Sequence, residues 1–386
     1  MSNVQLVMNA GSSSLKFAVY TAKDDTPILR GKVSGIGRAP EFKATGAQAD
    51  ALGALTPDTP HDEVVQRVLG WLTAHPEFGD ITAVGHRVVH GGRSFSKPML
   101  VSEEILAKLT ELEPLAPSHQ PHNLAAIRAV RGWKADLPQV ACFDTGFHAS
   151  QPKLNRMFGL PRALTEQGVI RYGFHGLSYE YIARILPRHL GQNADGRVVV
   201  AHLGNGASMC AMMRRRSVTT TMAFSALDGL VMGRRCGSLD PGVLLYLQQG
   251  LGMTIEQIEA LLYKESGLLG VSGVSNAMQV LQDSSAPEAG EAIELFCLRA
   301  AQELARMLPC IGGLDVLVFT AGIGENSARV RAGICDHLGW LGVALNPDAN
   351  AAGKQLIHTA DSAVQVCVLA TDEEAVIVGH MYDLIG

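Results

Sequence analysis

The chain has 386 residues, 47% of them hydrophobic, with 32 Lys and Arg against 37 Asp and Glu for a formal net charge of −5. That length corresponds to two or three domains, and so much apolar content excludes a disordered chain. A mildly acidic protein whose longest basic run is Arg214-Arg215-Arg216 is not built to hold a polyanion, so no nucleic acid is expected as a partner.

No apolar run approaches the roughly 20 residues needed to span a bilayer. The opening stretch MSNVQLVMNAGSSS lacks the basic and apolar regions of a secretion signal. The seven cysteines, Cys142, Cys210, Cys236, Cys297, Cys310, Cys335 and Cys367, contain no C-x-x-C pair. They read as small thiols in a reducing compartment, with neither a disulfide framework nor a zinc site. A cytoplasmic protein is expected, with no membrane partner.

In chain order, Val4 to Met8 is a short apolar strand, Asn9 to Ser14 a polar turn, and Lys16 to Tyr20 a returning strand. Ile81 to Gly85 and Gln139 to Phe143 have the brevity of buried strands, and Glu103 to Glu113 the pattern of a surface helix. Leu177 to Leu186 is predicted helical, beginning near Ser178 and stopped by Pro187. A second strand–turn–strand follows: Val198 to Ala201, a turn at His202 to Ser208, and a return at Met209 to Met213. Gly11 and Gly206 of the two hairpins stand about half a chain apart, which suggests a duplicated domain. Thr254 to Tyr263 and Glu291 to Met307 are helical by pattern. Asp315 to Phe319 is a strand leading into a glycine-rich turn at Ala321 to Asn326, and a helix begins near Ser327. Glu373 to Leu384 reads as a closing helix. Strands and then α/β alternation, twice over, imply a two-lobed α/β enzyme with a cleft between the lobes.

Three turns at strand ends carry small residues: Gly11 to Ser14, Gly204 to Ser208 and Gly322 to Asn326. Tight turns need glycine in any case, but such turns also let backbone N–H groups collect an anion. Three in one chain favour phosphate or nucleotide handling. The Walker pattern and a clean G-x-G-x-x-G are both absent, which excludes a P-loop enzyme and a plain dinucleotide-binding dehydrogenase. Arg87, Arg171, Arg234 and Arg235 lie in glycine-flanked segments, where a planar, permanently charged fork suits carboxylate or phosphoryl oxygens. His86 and His90 are spaced on strand and loop and read as turn histidines, not a metal pair. Asp144 stands just past an apolar strand, where it would face a cleft. Glu373 and Glu374 begin the last helix, which suits its dipole; the alternative is Mg2+ ligation with phosphates and water completing the shell.

Asn9-Ala10-Gly11-Ser12-Ser13-Ser14-Leu15-Lys16 resembles the N-terminal signature of the acetate kinase family, and His86 to Gly92 resembles its second signature. Arg171 to Ser178, His202 to Gly206, Gly233 to Pro241, Gly322 to Asn326 and Thr371 to Glu374 are similar to further family blocks, in order, over essentially the whole chain. The resemblance implies the sugar kinase/Hsp70/actin superfold: duplicated actin-like ATPase (ribonuclease H-like) α/β lobes with an active-site cleft between them. The lobes are expected at 1–147 plus 375–386, and at 148–374 for the nucleotide-binding lobe. It implies reversible transfer of the ATP γ-phosphoryl group to acetate or another short carboxylate, with ADP as co-product, Mg2+ (or Mn2+) as the metal and a homodimer as the assembly.

Residue by residue, the resemblance implies that Arg87 and Arg235 hold the carboxylate and the moving phosphoryl group, and that His175 donates a hydrogen bond to it. Asp144 belongs to the catalytic apparatus, where orienting Arg87 or the metal's waters suits it better than acting as a base, because a carboxylic acid substrate is already ionised at neutral pH. Asn9 and Glu373 are implied for the metal. Ser12, Ser14, Lys16, His202, Leu203, Gly204, Asn205 and Gly206 are implied along the phosphates. Gly322, Ile323, Gly324, Glu325 and Asn326 are implied at the adenosine end. The acyl pocket corresponds to Val89, Ser118, Phe174 and Ala226, and His119 matches a further substrate-binding position of the active site. Two positions depart from the family: Ser118 replaces the usual Leu and Ala226 the usual Pro. Both enlarge the pocket, which keeps a propionate or butyrate kinase as the alternative, unless neighbours refill the space. Ala277-Met278-Gln279 replaces an Asp-x-Arg near the nucleotide, which bears on base selectivity. A non-catalytic nucleotide switch is disfavoured by Arg87, His175 and Arg235 together.

Overall fold

The computed structural model describes residues 3–21, 26–45, 52–75 and 78–386. The chain forms two compact units, Met1–Phe147 with Asp372–Gly386, and His148–Thr371. The second crossing falls at Thr371/Asp372, three residues ahead of the expected one. Asp372 caps the closing helix, accepting from the Ala375 N–H at 2.9 Å, and so travels with it.

The first unit is built on seven strands: β1 (Asn3–Gly11), β2 (Ser14–Thr21), β3 (Pro27–Ser34), β4 (Glu41–Ala44), β5 (Asp80–Val88), β6 (Met99–Leu100) and β7 (Gln139–Phe143). Their order across the sheet is β4-β3-β2-β1-β5-β7-β6. Strand β1 is buried on both faces, as a central strand must be, and pairs antiparallel with β2 and parallel with β5. It runs on through Asn9 to Gly11, so the polar turn contracts to Ser12 and Ser13. Helix His61–Thr73 buries Val64, Val65, Val68, Leu69, Trp71 and Leu72, a single stripe at helical spacing. Trp71 meets Phe17 and Phe42 with ring centroids 6.2 and 5.3 Å apart. Helix Glu103–Thr110, capped by Ser102, stops short of the expected Glu113, and a separate 3-10 turn, Glu113–Leu115, carries Pro114 in its first positions, where a missing N–H costs least. The closing helix Glu373–Ile385 approaches β5 at Gly85. A Cβ there would stand 2.5 Å from both Ile377 and Met381, so only glycine lets the helix seat this closely.

The second unit repeats the plan with β8 (Arg197–Leu203), β9 (Ala207–Met213), β10 (Arg216–Thr220), β11 (Val316–Thr320) and β12 (Gln365–Val368), in the order β10-β9-β8-β11-β12. In both sheets three consecutive antiparallel strands are followed by parallel ones (β3-β2-β1-β5-β7 beside β10-β9-β8-β11-β12), which is the duplication that the two hairpins suggested. Helix Gly176–Leu190 passes through Pro187 instead of ending there. The proline leaves only one N–H missing near the end, and Gly191, at φ 55°, makes the stop. The Thr254 segment is α-helical only over Ile255–Ala260 and then widens into a π turn at Leu261–Glu265. The long helix starts at Pro287, ahead of Glu291, and runs to Met307. The expected glycine-rich turn is a short helix, Ala321–Asn326. It forms because Glu325 folds back to accept the Ala321 N–H at 2.8 Å, with Ala321 held at φ 65°. Helix Ala328–Asp336 follows, capped by Ser327.

Candidate active site

In the first unit Arg87, near the end of β5, and Asp144, just past the neighbouring β7, are brought side by side by the parallel pairing of those strands. Arg87 Nε donates to Asp144 Oδ1 at 3.0 Å and Oδ2 at 3.1 Å, and Nη2 donates to Oδ2 at 2.5 Å. Its Nη1 donates to Asn9 Oδ1 at 3.1 Å, from the end of β1. Glu373 Oε2 is 3.8 Å from Nε, placed by the first turn of the closing helix. Burial pulls the Arg87 pKa down, but the Asp144 and Glu373 carboxylates outweigh it, and the net direction is upward. Beside this cluster Glu374 is pushed up, by burial first and then by Glu373.

Around it, the Val89 N–H donates to Asn123 Oδ1 at 2.9 Å, and Asn123 Nδ2 donates to the Ala10 carbonyl at 2.5 Å. One buried amide thus ties the Arg87–Val89 segment to the first hairpin. Ser12 lies at the tip of that hairpin, Ser14 opposite Gly11, and Lys16 opposite Asn9. Ser118 is exposed, and its Oγ lies 2.8 Å from Nδ1 of His119 at the start of helix Gln120–Trp133.

In the second unit His175, at the N-terminus of helix Gly176–Leu190, has φ 56°, a left-handed conformation that a non-glycine residue rarely adopts. Its ring stacks on His202 with centroids 4.3 Å apart and 22° between planes. Its Nδ1 is 2.9 Å from Ser208 Oγ. A Cβ built on Gly206 would lie 3.5 Å from His175 Nε2 and 3.6 Å from Arg235 Nη2, so the two side chains converge over the glycine. Arg235 Nη1 donates to the Ala226 carbonyl at 2.7 Å. Phe174 is buried just before His175.

A cavity of about 380 Å³ in the same unit is lined by Gly204, Asn205, Asn276, Ala277, Met278, Gln279, Gln282, Gly322, Ile323, Asn326 and Ser327. No lining residue is charged. Leu203, Gly324, Glu325 and His202 do not line it. Leu203 is fully buried; Glu325 is turned inward to Ala321; His202 backs His175. Behind the cavity Arg331, 2% exposed, donates from Nη1 to the Gly324 and Glu325 carbonyls at 2.9 Å each, and from Nε to Asn350 Oδ1 at 2.7 Å.

Although Ser208 closes the second small-residue turn, Asn123, Ser208, Gln282 and Arg331 were given no role of their own from sequence. Asn123 and Arg331 did leave a signal there, as polar residues on helix faces otherwise lined by Leu124, Ile127 and Val130 or by Val330 and Ile334. Ser208 reads as part of the second turn, whereas it stands on β9 opposite His202, and nothing in the sequence marks its pairing with His175.

The acetokinase family model matches residues 4–379. Acetate kinase of Rhodopseudomonas palustris is 52% identical over 394 aligned residues, covering 100% of this chain and 99% of that protein. Acetate kinase of Rhizobium meliloti is 46% identical over 387, covering 99% and 98%. Among solved structures, a propionate kinase from Francisella tularensis subsp. tularensis SCHU S4 superposes with a TM-score of 0.92 at 35% identity, covering 98% of this chain and 99% of that one. Porphyromonas gingivalis acetate kinase gives 0.88 at 32% identity, covering 100% of each. Duplicated α/β sheets, strand-end glycine turns and these relatives together define a phosphotransferase with a carboxyl group as acceptor. The chain belongs to the acetokinase family.

Proposed function

We propose that this enzyme is an acetate kinase, moving the γ-phosphoryl group of ATP in line onto acetate to give acetyl phosphate and ADP, reversibly. The observation that carries the reading is the Arg87 guanidinium, fixed by Asp144 and Asn9. An arginine has five N–H groups. Nε and one hydrogen on each Nη are taken up, which leaves one N–H on each Nη to face an anion. The acid substrate is already ionised at neutral pH, so no base is needed, and Asp144 serves to orient Arg87. In-line transfer spreads negative charge over the equatorial phosphoryl oxygens, and fixed donors stabilise it without rearranging. Arg87, Arg235 and His175 are those donors in this reading.

Asn9, Glu373 and Asp144 offer only hard oxygen atoms, and among the described residues no cluster of three or more His, Cys, Asp or Glu could hold a metal alone. That donor set fits Mg2+ held chiefly by nucleotide phosphates, with Asn9 and Glu373 as the protein's share and Mn2+ as a substitute. The metal would neutralise charge on the β- and γ-phosphates. The uncharged cavity between Asn276 and Asn326 takes the adenosine end through amides and backbone, so modest base selectivity follows.

The helix Pro241–Gln249 buries none of its residues, and Leu245, Tyr246, Leu251 and Ile255 are each more than half exposed. A patch of this kind supports a homodimer. Light scattering should give twice the 41.1 kDa chain mass, and Tyr246→Lys should shift it toward the monomer. Among the described residues no helix is long and apolar enough to cross a membrane.

Ser118, exposed and bonded to His119, favours a roomier acyl pocket and so propionate as the second reading. Acyl phosphate formation from acetate, propionate and butyrate, trapped with hydroxylamine, tests both. Highest kcat/KM on acetate supports the proposal. Highest kcat/KM on propionate transfers it to the second reading, and Ser118→Leu with Ala226→Pro should then move preference back.

A further inference from the structure

We infer that Ser208, backed by Tyr179, is a positioning residue that sets which ring nitrogen of His175 carries the proton; its bearing on catalysis rests on His175 acting as a donor in the reading above.

The β8–β9 register places His202 directly opposite Ser208, so both side chains emerge on one face of the hairpin. The start of helix Gly176–Leu190 meets that face and brings three side chains to it. His175 stacks on His202 and meets Ser208 through Nδ1 at 2.9 Å. Tyr179, one turn on, reaches the same Ser208 Oγ at 2.5 Å. Ser178 Oγ is 2.8 Å from His202 Nδ1 and 2.9 Å from Thr371 Oγ1, which anchors the stacking partner in turn. Ser208 and Tyr179 are both fully buried.

The proton order follows from what each atom can do. Burial pushes the Tyr179 pKa well above its ordinary value, so the phenol keeps its proton. A buried hydroxyl left without an acceptor is costly, and Ser208 Oγ is the acceptor in reach. With that lone pair engaged, Ser208 turns its own proton to His175 Nδ1. A ring nitrogen that accepts carries no proton, so in the neutral imidazole the proton is on Nε2. Nε2 and Arg235 Nη2 both reach the space over Gly206. Among the groups at this ring are the stacked His202 and Ser208, with the Arg235 guanidinium reaching the same space over Gly206. A neutral Nε2–H donates into that space without placing a second cation against Arg235. On a strand where Ala207 and Met209 flank it, a fully buried Ser208 hydroxyl has these two partners as its account.

Nitrogen NMR of isotope-labelled histidine rings, with His175 assigned by its loss in His175→Gln, reads the tautomer directly. The wild-type enzyme should show an accepting Nδ1 and a protonated Nε2. Ser208→Ala should give a mixture of tautomers, with kcat falling about tenfold and the KM for ATP moving by less than about twofold. Tyr179→Phe, which keeps the ring and removes one oxygen, should shift the tautomer the same way by less. A wild-type proton on Nδ1, or a His175 tautomer unchanged in both variants, would overturn the inference. Full turnover in His175→Ala, which leaves no donor at that position, would instead overturn the reading of His175 as a donor and leave the tautomer assignment standing.

Discussion

Arg87 and Asp144 meet edge to edge: Nε and Nη2 of the guanidinium engage both carboxylate oxygens, from side chains 18% and 1% exposed. Asp144 is thus a buried carboxylate spent on aiming a cation. Asp144→Asn keeps the size and loses the charge, so Arg87 is no longer held by a matched fork. Turnover should fall by about 10²–10³-fold, and the melt should fall too, by up to about 3–5 kcal/mol of stability, because Arg87 loses its buried partner. Steady-state kinetics beside a thermal melt checks this; near-normal kcat would contradict the orienting role.

A methyl at Gly206 meets its neighbours only at ordinary contact distance, 3.5 Å from His175 Nε2 and 3.6 Å from Arg235 Nη2. Gly206→Ala should therefore fold with an unchanged Tm. It should still lose about tenfold to a hundredfold in kcat/KM, because the methyl fills the space into which both donors point. Full activity in this variant would mean that the convergence has no part in transfer.

Arg331 is a buried cation with no carboxylate partner among the described residues, bonded to the carbonyls that end helix Ala321–Asn326. Arg331→Met should leave those carbonyls without donors. The expected cost is about 2–4 kcal/mol of stability, read by urea unfolding, and a severalfold rise in the KM for ATP with kcat changed less.

His86, His90 and His148 are each pushed down to about 4 by burial. Unfolded, they take up protons near their ordinary value of 6.5. Between those values the unfolded chain binds more protons, so stability is full above about 6.5 and is lost as the pH falls toward 4. Glu374, raised from 4.5, opposes this in part near the carboxylate range. Urea midpoints should decline steadily from pH 7 to pH 5, and flat midpoints would show that these rings are not buried neutral.

Much of this fold could be read from the chain because period and punctuation were clear: both hairpins, β7, the long helix and the closing helix stand where apolar runs and caps put them. The misreadings have local causes. Glycines at 322 and 324 argued for a turn, but the Glu325 side chain supplies the bond that makes Ala321–Asn326 helical. Pro187 argued for a stop that Gly191 makes instead. At the site, Arg87 and Asp144 were visible as charged residues at the ends of short apolar runs, and the turn residues through their order along the chain. Their supports were not, since the links from Asn123 to Ala10, Ser208 to His175 and Arg331 to Gly324 depend on pairings between distant segments.

The ratio of ADP formed to acetyl phosphate trapped, with acetate present and with acetate withheld, separates direct transfer from hydrolysis of ATP. Direct transfer to the carboxylate predicts equal amounts with acetate, and ADP formation that falls to a small fraction when acetate is left out. ADP released at a comparable rate without acetate would contradict it.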